Sequence, residues 1–175
     1  MTPEEVRALI KQLRRQPLYG EGGAAKPVQL GREDLMRLVP HREPFLLVDG
    51  IDGLDTEQKV VRGRRHIAAD DPVFAGHFPG QPVYPGVLQV EAMGQLALCL
   101  ARLLNTAVDQ SGKLPGVRAT HIYHAMFLTP VGPGDDLVLY AALIEDLGLT
   151  AISGAQIFKD AKLCALSIQE VCFVD

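Results

Sequence analysis

Residues 74–100, FAGHFPGQPVYPGVLQVEAMGQLALCL, join a loop rich in glycine and proline to a helical segment that carries almost no charge. The helix predicted over residues 85–105 has apolar side chains on every face: Val87, Leu88, Val90, Met93, Leu96, Leu98, Leu100, Leu103 and Leu104. A helix that is apolar all round either lies in a protein core or spans a membrane. Proline and glycine at its start, and Gln89, Glu91 and Gln95 within it, argue against a membrane span. We therefore expect a buried helix enclosed by the concave side of a curled sheet.

The segments on either side of this helix predict that sheet. A short helix, REDLMRLV, ends at Pro40 and is followed by strand candidates over residues 44–54 and 59–68. After the long helix, short turn-like connections separate four more predicted strands, over residues 117–127, 136–145, 150–158 and 162–173. The pattern indicates an α+β domain with one mainly antiparallel sheet of about six strands and one long apolar helix.

The N-terminal segment predicts a separate helix. Thr2 and Glu5 have the spacing of a capping box, and Pro3 suits the first helical position. An apolar stripe then follows at Val6, Leu9, Ile10 and Leu13. The next residues, YGEGGAAKP, have the composition of a linker, and the segment lacks the continuous apolar core of a signal peptide. We therefore divide the chain into an N-terminal helical arm and linker, residues 1–30, and a single domain, residues 31–175.

The composition is that of a folded globular protein. Of the 175 residues, 47% are hydrophobic, and the formal net charge of −4 gives no support for nucleic-acid binding. The three cysteines lie in apolar runs without a CxxC spacing, which indicates a reducing compartment and predicts a cytoplasmic protein. His121 and His124 have a spacing that can suggest a metal site, but residues three apart on a strand face opposite sides. No metal is therefore expected, and His41 and His66 are expected to have structural or surface roles.

Glu91 is the one acid within the long apolar helix. Because an ionised carboxylate is costly in apolar surroundings, we expect this side chain to hold a proton. Gln95, one turn later on the same face, can hydrogen-bond to it and orient it. A protonated and oriented carboxyl group is suited to general acid catalysis. The alternative is a structural role, in which Glu91 pairs with an arginine or caps a neighbouring loop.

His77 lies in the loop before this helix, between Gly76 and the rigid FPGQP. Glycine at this point allows the backbone to come close to a ligand. The helix begins at Pro85 and Gly86, where the N–H groups of its first turn, from Gly86 onward, are free and the positive end of its dipole lies. A base, an acid and an anion-stabilising helix terminus form a set suited to removing a proton beside a carbonyl group. The alternative for His77 is a solvated or hydrogen-bonded loop residue.

Three stretches of the chain resemble one enzyme family. GHFPGQPVYPGVLQVEAMGQL (76–96) resembles the active-site motif of the hotdog-fold (3R)-hydroxyacyl-acyl-carrier-protein dehydratases, the FabZ/FabA family. LVPHREPFLLVDGI (38–51) and PVGPGDDLVL (130–139) are similar to segments that precede and follow that motif in the family. The resemblance runs in order from about Asp34 to the C-terminus and leaves the N-terminal arm outside. It implies the hotdog fold, in which a strongly bent antiparallel sheet wraps one long helix.

The resemblance also implies a role for each matching position. His77 corresponds to the catalytic histidine and Glu91 to the catalytic acid. A glutamate here, where FabA-type members have aspartate, points to the FabZ branch. The backbone N–H of Gly86 would bind the thioester carbonyl, Gln95 would support the acid, and the carbonyl of Val83 would orient the histidine.

The activity that the resemblance implies needs no metal or redox cofactor. A (3R)-hydroxyacyl thioester, carried on acyl carrier protein, loses water to become a trans-2-enoyl thioester in fatty-acid or related lipid or polyketide synthesis. In the family the histidine and the acid of one site come from different subunits, so we expect a homodimer or a trimer of dimers. Two other functions stay open: a hotdog acyl thioesterase, and a weakly catalytic subunit that binds acyl chains or stabilises another hotdog protein.

Two departures from the family pattern concern the substrate pocket and the carrier protein. Tyr84 and Gln81 stand where the family more often has Met and Arg, and Tyr84 is expected to shape the substrate-binding pocket. The family commonly has basic residues that receive the acidic carrier protein at positions where this chain has Met126, Leu128 and Thr129. A substitute basic patch could come from elsewhere in the domain: Arg62, Arg64, Arg65, Arg102, Lys113 and Arg118.

Overall fold

The computed structural model describes residues 1–18, 26–104 and 116–174. Within them it has three α-helices, α1 (Pro3–Leu13), α2 (Arg32–Leu38) and α3 (Gly86–Leu103), and a 3₁₀ turn at Pro72–Ala75. Seven strands complete the described part of the chain: β1 (Lys26–Gly31), β2 (Gly50–Asp55), β3 (Val60–His66), β4 (Gly116–Phe127), β5 (Asp136–Asp146), β6 (Thr150–Lys159) and β7 (Lys162–Val174). Every element predicted from periodicity is present, and β1 is an addition.

The seven strands form one antiparallel sheet in the order β1-β2-β3-β5-β6-β7-β4. The sequence predicts about six strands, and the additional one is β1, which pairs with β2 at an edge of the sheet. Pro27 within it has no backbone N–H to donate, and sheets tolerate proline at an edge. Because β1 begins at Lys26, the boundary predicted at residue 30 falls inside a strand.

The strand predicted over residues 44–54 begins only at Gly50. Leu46, Leu47 and Val48 are buried but lie outside any strand, so the prediction was wrong for this part. The reason is a side chain that takes the place of a neighbouring strand. The amide of Gln95 accepts a hydrogen bond from the N–H of Leu47 at 2.8 Å and donates one to the carbonyl of Phe45 at 2.8 Å.

The long helix α3 lies against the inner face of the sheet. Its residues Met93, Leu96 and Leu100 are fully buried in the main core, and the helix contacts β3, β5, β6 and β7. This is the predicted hotdog fold, an α+β arrangement in which a bent antiparallel sheet wraps one long helix. None of the helices in the described ranges is both long enough and apolar enough to cross a membrane.

One side of α3 differs from the prediction that the helix is buried all round. Val87 is 74% exposed, and the side chain of Glu91, one turn later, is 34% exposed. Strands β3, β5, β6 and β7 cover the helix, but this side of its N-terminal half is left partly open. The expectation of a fully buried acid is therefore wrong for the single chain.

Gly63 on β3 lies directly under α3, and we expect Gly63→Ala to destabilise the fold. A Cβ atom there would lie 2.8 Å from Leu96 Cδ1 and 3.2 Å from the carbonyl oxygen of Gly50. Overpacking of this kind should lower the free energy of unfolding by about 1–3 kcal/mol in denaturant titrations. Gly31→Ala is the control, since an added Cβ at Gly31 meets nothing within 4 Å. Equal stability of both variants and the wild type would contradict the close packing at Gly63.

The helix of the N-terminal arm, α1, packs on the outer face of the sheet. Leu13 is buried against Ile152, Leu166 and Ile168, in a cluster separate from the core around α3. The two clusters share β6 and β7, because successive side chains of a strand point to opposite faces. The predicted capping box at the start of α1 is formed. The sheet is thus covered by α3 on one face and by α1 on the other.

Candidate active site

A cavity of about 450 Å³ opens beside the N-terminus of α3. The loop before the helix contributes His77 and Val83 to its wall, the helix start contributes Gly86 and Val87, and the end of β4 contributes Phe127. Most of the wall is apolar. A concave apolar site with a few polar groups is the usual form of a small-molecule binding site.

Hydrogen bonds hold His77 in a defined orientation at this cavity. Its Nδ1 lies 2.8 Å from the carbonyl oxygen of Val83, and the N–H of Val83 donates to the carbonyl oxygen of His77 at 2.9 Å. A carbonyl oxygen only accepts, so Nδ1 carries the hydrogen in this contact. In the neutral ring, Nε2 then has a free lone pair and can accept a proton. The ring of Phe78 stacks on the imidazole, with 4.1 Å between the ring centroids.

Gly86 is the first residue of α3, where backbone N–H groups have no acceptor within the helix. The positive end of the helix dipole lies at the same place. An added Cβ atom at Gly86 would lie 2.7 Å from the ring of Phe127, so the absence of a side chain lets this ring pack against the helix start. Gly86, at the polarised start of the helix, and His77 therefore line one cavity.

Tyr84 borders the cavity, but its ring is buried in the protein. The ring is 2% exposed and lies 6.3 Å from the ring of Phe74, centroid to centroid. Burial raises the pKa of the Tyr84 hydroxyl. The N–H of Tyr84 donates to the carbonyl of Val131 at 2.7 Å, which ties the loop to the segment before β5. A direct role of Tyr84 in substrate binding stays a prediction.

Glu91 and Gln95 form a second cluster further along α3. Gln95 Nε2 donates to Glu91 Oε1 at 2.8 Å, and the same amide makes the two hydrogen bonds to Phe45 and Leu47 described above. Gln95 is 1% exposed, so three hydrogen bonds inside the core define its position. Because Oε1 of Glu91 accepts from Gln95, Oε2 is the oxygen available to carry a proton.

His41 also belongs to this cluster, although its residue type alone predicts only a structural or surface role. Its Nε2 lies 3.4 Å from Glu91 Oε1. Its Nδ1 is buried and has no hydrogen-bond partner among the described residues, which is uncommon for a buried polar atom. The signal that could have found it is its place in LVPHREPFLL, since Phe45 and Leu47 of the same stretch bind Gln95.

Among the described residues of one chain, the two clusters do not share the cavity beside α3. Neither Glu91 nor Gln95 lines the cavity that contains His77. Four of the residues predicted for the site meet at the cavity, and the other two meet on the side of α3 that the sheet leaves partly open. The four at the cavity are His77, Val83, Tyr84 and Gly86.

Two of the three cysteines, Cys99 and Cys164, are buried thiols and not nucleophiles. Cys99 is buried in α3, and burial raises the pKa of its thiol to about 12, so the reactive thiolate is not formed at physiological pH. Burial also raises the pKa of Cys164. Across residues 1–18, 26–104 and 116–174, no group of three or more His, Cys, Asp or Glu side chains is placed to hold a metal ion.

Comparison with known proteins relates most of the chain to described sequences. Residues 39–166 match the model of the FabA-like domain. The chain is 42% identical over 133 residues to a 3-hydroxyacyl-[acyl-carrier-protein] dehydratase FabZ of Syntrophotalea carbinolica, a match that covers 75% of this chain and 86% of the relative. It is 40% identical over 142 residues to the protein of the same name from Campylobacter lari, covering 81% and 95%. The chain belongs to the FabZ branch of this dehydratase family.

Solved structures show the same fold for this FabZ-family chain. An uncharacterized protein from Pyrococcus horikoshii matches with a TM-score of 0.53 at 16% identity, over 86% of this chain and 95% of the other. A protein from Thermus thermophilus matches with a TM-score of 0.52 at 18% identity, over 77% and 100%. Identities this low show a common fold and carry no information about the reaction. The chemistry of the FabZ-family chain follows from its own residues.

Proposed function

We propose that this FabZ-family chain dehydrates (3R)-hydroxyacyl thioesters of acyl carrier protein to trans-2-enoyl thioesters, in fatty-acid or related lipid or polyketide synthesis. The observation that carries the proposal is the Nδ1–H of His77 bound to Val83, because it leaves Nε2 as a base beside the free amides of α3. The FabZ name of relatives at 40% and 42% identity supports the same reaction. The cytoplasmic location predicted from the cysteines is part of this proposal.

The first half of the reaction takes place at the cavity. The thioester carbonyl oxygen accepts a hydrogen bond from the N–H of Gly86, and the helix dipole stabilises the negative charge that grows on this oxygen. The polarised carbonyl group acidifies the hydrogen on C2. His77 Nε2 takes this proton, and the carbonyl of Val83 stabilises the resulting imidazolium through Nδ1–H.

The second half of the reaction needs a proton donor at the C3 hydroxyl group. Glu91 Oε2 supplies the proton, the C3–O bond breaks, and water leaves. The electron pair of the C2–H bond becomes the C2–C3 double bond. One turnover leaves His77 protonated and Glu91 ionised, and transfer of the proton back through water restores both groups. These steps balance without a metal or redox cofactor, and their reversal hydrates the enoyl thioester.

The histidine and the acid of one working site come from two subunits in this proposal. Glu91 lies outside the His77 cavity of its own chain and on the partly open side of α3. Exposed apolar side chains, Phe127 and Leu128 at the cavity and Ile122 on the edge strand β4, offer a surface that a second copy can cover. A two-fold arrangement gives two equivalent sites. The minimal active unit is then a homodimer, alone or within a trimer of dimers.

In this mechanism His41 holds the Glu91 carboxyl group in position. His41→Ala removes the polar contact at 3.4 Å between Nε2 and Glu91 Oε1. It should lower kcat about tenfold, with little change in KM. His41→Gln keeps an N–H near the place of Nε2 and should recover most of the rate. A purely structural histidine would instead lower the melting temperature in both variants and leave kcat of the folded protein unchanged. Both quantities are therefore measured on the same preparations.

Turnover of a purified (3R)-hydroxyacyl thioester of acyl carrier protein tests the proposed reaction. Mass spectrometry of the carrier distinguishes the three functions left open by the sequence. Loss of one water from an intact thioester is the expected result. Release of the carrier thiol would identify a thioesterase, and an unchanged substrate would identify a subunit without activity of its own. Either of these two results overturns the proposed function.

A further inference from the structure

The N-terminal arm carries positive charge on an exposed helical face. Arg7, Lys11 and Arg14 follow the i, i+4, i+7 spacing of one side of α1, and all three are exposed, as is Arg15. Residues 1–18 hold four basic and two acidic side chains, whereas the whole chain has a net charge of −4. The salt bridges within the described residues involve none of these four basic side chains. Their charge is available to a partner.

A buried side chain fixes this arm to the sheet. Gln156 on β6 is fully buried and binds the arm at three backbone groups. It donates to the carbonyls of Leu13 and Gln16 and accepts from the N–H of Leu18. Without these partners the buried amide would be left unsatisfied, which is costly. The basic face of α1 therefore has a defined position on the protein.

The docked arm is connected to the wall of the active-site cavity through residues of the sheet. Leu163 at the start of β7 packs on the apolar cluster of the arm, and so does Met126 near the end of β4. Thr129 Oγ1 donates to the carbonyl of Leu163 at 3.0 Å, and the N–H of Leu128 donates to the carbonyl of Cys164 at 2.7 Å. Thr129 and Leu128 both line the cavity. One layer of residues thus connects the arm to the cavity wall.

The six basic residues of the domain named in the sequence analysis do not form an equivalent surface. Arg62 and Arg65 are paired with aspartate, and Arg102 is buried. Lys113 lies outside the described residues. Arg64 on β3 and Arg118 on β4 are exposed. However, three strands separate β3 from β4 in the sheet order, so these two side chains do not make one patch.

We propose that the exposed basic face of α1 is a docking surface for acyl carrier protein. This inference rests on the proposed function, because it assigns a place to the acidic partner that delivers the substrate. Charge complementarity supports this occupant: the chain is negative overall, and its positive helix is connected through Leu163 to the wall of the cavity that a carrier-bound acyl chain must enter. Exposed arginine and lysine side chains steer the encounter, and salt weakens their effect.

Charge reversal of the helix face tests this inference. Two variants with the same change in net charge are compared with the wild type: R7E/K11E/R14E on α1 and, at exposed positions elsewhere, K26E/R37E/K59E as the control. Each protein is assayed with one hydroxyacyl group on acyl carrier protein and on pantetheine. We expect KM for the carrier thioester to rise at least about tenfold in the α1 variant alone. Its kcat and its kinetics with the pantetheine thioester should match the wild type.

Binding of holo-acyl carrier protein, measured by calorimetry, separates this inference from the reaction. Weaker binding by the α1 variant alone, with a difference that shrinks in high salt, supports the docking surface even where no enoyl product forms. Equal weakening by the control variant overturns it, and so does wild-type affinity in the α1 variant. If charge reversal lowers the melting temperature, the milder R7Q/K11Q/R14Q variant replaces it, and unchanged affinity in that variant overturns the inference as well.

Discussion

Replacement of Glu91 by Gln is expected to lower kcat by about 10²–10⁴-fold, the usual contribution of general acid catalysis. The amide has nearly the shape of the carboxyl group, and its oxygen can still accept the hydrogen bond that Gln95 donates at 2.8 Å. The variant lacks only the transferable proton on Oε2. KM should change little, because the amide of Gly86 and the wall of the cavity are untouched.

The melting temperature distinguishes a catalytic carboxyl group from a structural one. A proton donor predicts that Glu91→Gln melts near the wild type, whereas a structural acid predicts a lower melting temperature and normal kcat of the folded protein. Glu57→Gln, in the exposed turn between β2 and β3, is the control and should change neither quantity. His77→Ala should lower kcat to a similar extent, and the double variant should be little worse, because the two groups act as a unit. Near-normal dehydration by a stable Glu91→Gln protein would rule out Glu91 as the donor.

Mixing the inactive His77→Ala and Glu91→Ala proteins should restore activity that neither has alone. In a mixed dimer one site lacks both groups and the other is intact, because each site takes its histidine and its acid from different chains. Equal amounts with full subunit exchange give about half mixed dimers, and thus about a quarter of the wild-type activity. Relative to parents lowered by about 10²-fold or more, this is a large recovery.

The control for this experiment is a mixture that cannot form an intact site. His77→Ala combined with the double variant His77→Ala/Glu91→Ala exchanges subunits in the same way and should stay inactive. Native mass spectrometry with one parent carrying a mass tag measures how many mixed dimers form. Mixed dimers of the first pair that form and remain inactive would mean that both groups of a site belong to one chain.

Local patterns were sufficient to predict most elements of the fold. The long helix predicted over residues 85–105 is observed as Gly86–Leu103, and the four strands after it agree with their predicted bounds within one residue. Helical and strand periodicity depend on neighbouring residues, and so do the turns between them. The segment before β2 shows the limit of this reasoning. Leu46, Leu47 and Val48 are apolar and buried like a strand. However, the N–H of Leu47 donates to a glutamine side chain 48 residues away, and the carbonyl of Leu46 accepts from the side chain of Arg32.

The same distinction between short-range and long-range contacts decides which parts of the candidate site could be predicted from the sequence. The place of His77 beside the start of α3, and of Gln95 one turn from Glu91, could be read from the chain because few residues separate them. The contact of His41 with Glu91, the open side of α3 and the position of the arm on β6 could not. They depend on how the sheet curls and on buried amides, Gln95 and Gln156, that join segments distant in the chain. A single polar residue of this kind produces no periodic pattern in the sequence, because the packing of the whole fold determines its hydrogen-bond partners.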